Sequence, residues 1–96
     1  MLIVVTYDVA TTTPEGRRRL RKVATACKNY GQRVQQSVFE CVVGPQEWVL
    51  LREALLSLID TQHDSLRFYP LDETVRKRIE HYGTKEPLDF EGPLIV

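Results

Sequence analysis

The opening stretch, Leu2-Ile-Val-Val5 followed by Thr6-Tyr-Asp8, constrains the fold more than any other part of the chain. A run of β-branched and aliphatic residues this short, ended by a carboxylate, reads as a buried central strand. Side chains alternate along a strand, so Ile3, Val5 and Tyr7 line one face while Leu2, Val4, Thr6 and Asp8 line the other. Both faces are apolar until Asp8, and both should be covered. An acid at the end of such a strand stands where a core meets a cleft. It either caps a turn with Thr11 to Thr13 or is a carboxylate for metal or phosphate chemistry.

Ninety-six residues make one small domain. A chain of that size buries only roughly 60–65 % of the surface its unfolded form exposes, so marginal stability or oligomerisation is expected. With 43 % hydrophobic and 27 % charged residues the composition is that of an ordinary globular protein. No apolar run approaches the length that spans a bilayer, and with Leu2 reading as the start of the fold itself no signal peptide is expected. The expected location is cytoplasmic, with no membrane partner. Cys27 and Cys41 fall on separate elements without metal-ligand spacing, and two such thiols are expected to be buried and reduced.

The formal net charge of zero hides a segregation. Residues 15–33 hold seven of the thirteen cations against one acid, Glu15. That clustering argues for a local anion site rather than a general affinity for nucleic acid.

Thr11-Thr-Thr-Pro14-Glu15 is a helix start, with a threonine N-cap, Pro14 in the first turn and capping-box spacing from Thr12 to Glu15. Leu20, Val23, Ala24 and Cys27 then form one apolar stripe, and Gly31 fits the C′ position. The opening turns carry Arg17, Arg18, Arg19, Arg21 and Lys22. Cations near a helix N-terminus cost about 0.3–1 kcal/mol each, so the run reads either as a solvated basic face or as a grip on phosphates.

Residues 32–43 are strand-compatible throughout, as one long strand or as two arms reversing around Gln35-Gln36-Ser37. One strand gives a βαβαβ pattern; two give the split βαββαβ of ferredoxin-like domains. Gly44-Pro45 starts a second helix with Trp48, Leu51, Leu55, Leu58 and Ile59 as its buried stripe, Trp48 reading as a core anchor. His63, in the loop after it, reads as solvated. Leu66 to Leu71 returns as a strand, where Pro70 favours an edge. Asp72 caps a short turn through Val75, ahead of a second basic cluster, Arg76-Lys77-Arg78; Ile79 to Tyr82 alternates like a short exposed strand that turns His81 outward. Residues 1–82 are thus expected to form the domain. Residues 83–96 read as an extension ending in Pro93-Leu-Ile-Val96, a strand former suited to an exposed sheet edge in its own chain or a neighbour's.

Taken together these residues resemble the CRISPR-associated protein Two family, the smaller of the two core spacer-acquisition proteins. The likeness runs nearly end to end: the strand closing on Tyr7-Asp8-Val9, the basic helix Arg17 to Lys22, Gly31 to Glu40, Leu66 to Leu71 and Gly92 to Val96. Its most specific part is Arg33-Val-Gln with Ser37-Val-Phe-Glu40. The resemblance implies an α+β fold, a ferredoxin-like βαββαβ two-layer sandwich with an extra C-terminal strand. It also implies a homodimer whose sheets stack face to face, the C-terminal strand crossing to the partner. Such stacking would cover the second apolar face of the first strand and bring two copies of Asp8 together.

The implied activity is a metal-dependent endonuclease on single-stranded RNA or duplex DNA. Magnesium wants six oxygen ligands and keeps several waters; two Asp8 carboxylates, water and a phosphate oxygen would serve. Tyr7, Arg33, Ser37 and Phe39 match family positions associated with the site, with Arg33 and the Arg17–Lys22 cluster placed to hold phosphate. Leu20 and Lys22 occupy places where other members can carry arginines. A competing role is that of a scaffold bridging two dimers of the larger integrase protein, the basic helix and Arg76 to Arg78 touching duplex backbone without reading bases. A ferredoxin-like regulatory module for a small anion is a third reading, and it leaves the size of the cation cluster unexplained.

Overall fold

The computed structural model describes residues 1–84. The chain runs β1 (Leu2–Asp8), α1 (Pro14–Lys28), β2 (Gly31–Gln35), β3 (Val38–Val42), α2 (Pro45–Leu58), β4 (Ser65–Leu71) and a single turn of helix, α3 (Glu73–Arg76). The four strands form one antiparallel sheet in the order β2-β3-β1-β4. Its opening strand is central, as its apolar faces require. Residues 32–43 are two arms, reversing at Gln36-Ser37, and the main-chain N–H of Tyr7 donates to the Ser37 carbonyl at 3.1 Å. This is the ferredoxin-like α+β arrangement, with both long helices on one face.

The alternation of β1 decides which side is core. Ile3, Val5 and Tyr7 pack with Phe39 and Cys41 of β3, Val23 and Cys27 of α1, and Leu51 and Leu55 of α2. Each large aliphatic side chain fully removed from water there contributes about 1.5–3 kcal/mol. Trp48 anchors α2 by meeting the Phe68 ring edge-on, the centroids 5.0 Å apart. On the opposite face of β1, Leu2 is buried between Val42 and Leu71, Val4 and Thr6 are half-buried, and Asp8 is exposed.

Three local expectations are corrected. Thr13 rather than Thr12 is the N-cap of α1, its hydroxyl accepting from the Gly16 N–H, so Thr12 and Glu15 make no capping box. Gly31 opens β2 instead of closing α1, whose C-cap is Asn29 in the right-handed helical region. A Cβ on Gly31 would lie 2.2 Å from the Glu40 carbonyl oxygen, so close pairing with β3 demands glycine there. Residues 79–82 form no strand, and the Tyr82 side chain stands open to water. Asp72 does cap α3, accepting from the Val75 N–H at 3.0 Å. Among the described residues β4 is an edge strand, which accommodates Pro70. The strand expected at Pro93 to Val96 lies outside the described residues, as does nearly all of the extension proposed for 83–96.

Candidate functional site

Asp8 ends β1 opposite Ser65 of β4. Its carboxylate is exposed and makes no hydrogen bond or ion pair among the described residues. The loop that follows turns the chain into α1, and no threonine of Thr11 to Thr13 is capped by Asp8. On the same sheet face, two register positions along, Arg67 pairs with Thr6 and donates to the Tyr69 hydroxyl at 2.9 Å. Arg67 escaped the sequence reading because only the antiparallel register of β4 brings it beside the end of β1.

Tyr7, Phe39 and Arg33 occupy the other face. The Tyr7 and Phe39 rings stack with centroids 6.2 Å apart, and the Arg33 guanidinium lies 5.2 Å from the Phe39 centroid. The Tyr7 hydroxyl is buried without a hydrogen-bond partner among the described residues. Burial pushes its pKa up, and the nearby Arg33 partly opposes the shift. Ser37 is half-buried in the β2–β3 turn, joined to Tyr7 through its carbonyl. The five residues grouped with catalysis therefore divide: Asp8 faces outward alone, while Tyr7, Phe39 and Arg33 form an aromatic–cation column beneath it.

What holds the loop after Asp8 is Asp64, read in the sequence only as part of the His63 loop. Its side chain is fully inaccessible to solvent. One oxygen accepts the Ala10 N–H at 3.0 Å; the other accepts the Asp60 N–H at 2.9 Å. Arg19 meets both oxygens, at 2.8 and 3.2 Å. Arg19, and then the two main-chain donors, hold the Asp64 carboxyl down to about 2 against the cost of its burial. The first turn of α1 also closes on this loop, since a Cβ on Gly16 would fall 1.9 Å from the Ala10 carbonyl oxygen. His63 pairs at the surface with Asp60, 2.8 Å away.

The cations of α1 are unequal. Arg17 donates to the Thr11 carbonyl at 3.1 Å and Arg19 is committed to Asp64. Arg18, Arg21 and Lys22 are exposed and have no partner among the described residues. In the second cluster Arg76 lies 3.6 Å from Glu73 and close enough to Glu40 to oppose the upward push that burial gives that carboxyl; Lys77 and Arg78 are exposed. Among the described residues no three His, Cys, Asp or Glu side chains converge as a metal cage. Cys27 and Cys41 are free, buried and pushed up to about 12, so they remain thiols at neutral pH. No helix among the described residues is long and apolar enough to cross a membrane.

A ferredoxin-like sandwich with one outward carboxylate at the end of its central strand and a basic first helix defines a class, and comparison with known proteins narrows it. The family described as CRISPR associated protein Cas2 matches residues 1–79. The chain belongs to that family. It is 60 % identical over 96 residues, the whole of both chains, to a protein of Chlorobaculum tepidum named CRISPR-associated endoribonuclease Cas2. It is 53 % identical over 95 residues, 99 % of each chain, to one of Halalkalibacterium halodurans named CRISPR-associated endonuclease Cas2. Among solved structures, Cas2 of Streptococcus pyogenes superposes with a TM-score of 0.76 at 53 % identity, covering 86 % of this chain and all of that one. A hypothetical protein of Thermus thermophilus superposes at 0.72 with 34 % identity, covering 88 % of this chain and 93 % of that one.

Proposed function

We propose that this chain acts in CRISPR adaptation as a homodimer able to hydrolyse phosphodiester bonds, in single-stranded RNA or duplex DNA, with a divalent metal. The observation that carries the reading is the Asp8 carboxylate, unpartnered and exposed at the end of an otherwise buried central strand. Its relatives' names, endoribonuclease in one case and endonuclease in the other, supply the reaction class. One carboxylate is too few ligands for magnesium. Two copies of the chain laying their helix-free sheet faces together would pair the Asp8 side chains and cover Val4, Tyr69 and their neighbours. Mg²⁺ held by that pair would polarise a phosphoryl oxygen and acidify a bound water.

The chain's own residues supply the rest. Asp8 carries the negative charge that attracts the ion, and Asp64 fixes the backbone just beyond it. Arg67 offers positive charge on the same face for the phosphate whose P–O bond breaks as water adds. Tyr7 and Phe39, being buried, hold β1 in place, and Arg33 and Ser37 belong to the hairpin packed against its end. A second role has its own support: the cations free on α1 favour a scaffold that holds nucleic acid and bridges dimers of the larger integrase.

Asp8→Asn is expected to abolish magnesium-dependent cleavage of both substrates while leaving the dimer and nucleic-acid binding intact, read by gel-resolved cleavage and light scattering. Wild-type cleavage by the variant would overturn the metal-site reading and leave the scaffold role.

A further inference from the structure

We infer that Glu40 and Arg76 form a charge pair sealed beneath a second copy of this chain, on the helix-free sheet face, and that the pair decides how tightly the two copies hold; this rests on the face-to-face dimer proposed above. Glu40 stands at the middle of β3, with Val4 of β1 on one side and Gln32 of β2 on the other. Alternation puts Val38 and Val42 on the same face, and the register adds Leu2 and Tyr69. Glu40 is half-buried, whereas Asp8, Arg33 and Arg67, the other charged residues of β1 to β4, are exposed. An acid so placed, in the centre of an apolar patch, is drawn into whatever covers that patch.

The occupant that fits is another copy of the chain. Nucleic acid laid over the whole face would set phosphates against Glu40 and find no donors on the valines around it. A second copy brings the same apolar rows. Covering Glu40 strips its water, and a carboxylate buried without a counter-charge is costly. Arg76 is the cation in place. β4 ends with Leu71 beside Leu2 and α3 follows at once, which brings α3 to that end of the sheet. The Arg76 side chain is only 19 % exposed, while Lys77 and Arg78, grouped with it in the sequence, are exposed. It lies 3.6 Å from Glu73 and acts from farther off on Glu40, against the burial that pushes that carboxyl up. Glu73 is 49 % exposed, and a pair so open to water contributes little. Glu40, once covered, is the stronger attraction, because charges act more strongly where water is excluded.

The test is the dimer dissociation constant of the full chain by sedimentation equilibrium, with circular dichroism reporting the fold. Arg76→Gln is expected to weaken the dimer about tenfold or more, because it leaves Glu40 covered and alone. Glu40→Gln should stay close to wild type, since Arg76 keeps Glu73, and E40Q/R76Q should recover most of what Arg76→Gln loses. Glu40→Lys set against E40K/R76E repeats the comparison with the charges exchanged, covering the case in which Arg76→Gln folds poorly; the first should weaken the dimer and the second restore it. Additive effects in both sets, or an undisturbed dimer in every variant, would overturn the inference while leaving the dimer reading intact. Weaker nucleic-acid binding by Arg76→Gln with an unchanged dimer would assign Arg76 to phosphate and overturn it equally. A wild-type chain that sediments as a monomer would overturn both.

Discussion

At the level of single residues, Asp64 is the side chain whose contribution was least visible beforehand. Its partners lie far away in the chain: Ala10 is 54 residues off and Arg19 is 45. No local pattern announces an acid that serves two distant segments, whereas Asp8 announces itself by ending a hydrophobic strand. Replacing Asp64 by alanine leaves the Ala10 and Asp60 N–H groups without an acceptor, about 1–3 kcal/mol each wherever water cannot reach them. Asp64→Ala is therefore expected to lower the thermal midpoint, followed by circular dichroism. Asp60→Ala, which loses a surface partner in His63, should move it far less. The pH dependence has a definite sign. Because the folded carboxyl is held near 2, below its ordinary value of 3.8, its stabilisation is complete above about pH 4 and lost as the pH falls toward 2. Urea titrations of wild type and Asp64→Asn should converge across that window and stay apart above it.

At the level of elements, the helices were legible in their phase and less so at their ends. The stripe Leu51, Leu55 and Leu58 predicted which side of α2 is buried, and Leu51 is 0 % exposed while adjacent Leu50 is 56 % exposed. Leu51→Ala is expected to cost about 2–5 kcal/mol, and Leu50→Ala no more than about 0.5 kcal/mol, both measured by denaturant unfolding. The start of α1 was harder, because three consecutive threonines offer three possible caps. The structure chooses Thr13, which leaves Thr11 to accept from Arg17 and lets Gly16 close against Ala10. Gly31 misled for a related reason: a glycine after a helix usually ends it, yet here the close approach of β3 explains it. Alternation alone suggested a strand at 79–82, where no neighbouring strand exists among the described residues to pair with it.

At the level of the whole molecule, the order of elements was readable once the hairpin at Gln36-Ser37 was allowed, since two helices and four strands in that sequence build this sandwich. Side-chain placement across the sheet was not, because register depends on pairing that strand sequences do not encode singly. The dimer proposed from the helix-free face can be tested at its rim. Tyr69 is 41 % exposed there and pairs in register with Val4. Tyr69→Glu should convert a dimer to monomer in analytical ultracentrifugation without unfolding the protomer; a variant that stays dimeric would place the contact elsewhere.

Both long helices pack on the Ile3, Val5 and Tyr7 side of β1, while Asp8 stands exposed on the other side. The helical layer therefore shields the acid from one direction entirely. Any phosphodiester that Asp8 were to help break would have to arrive over the bare side of the sheet, along the seam of the proposed dimer, so whatever opens or shuts that seam would govern the chemistry.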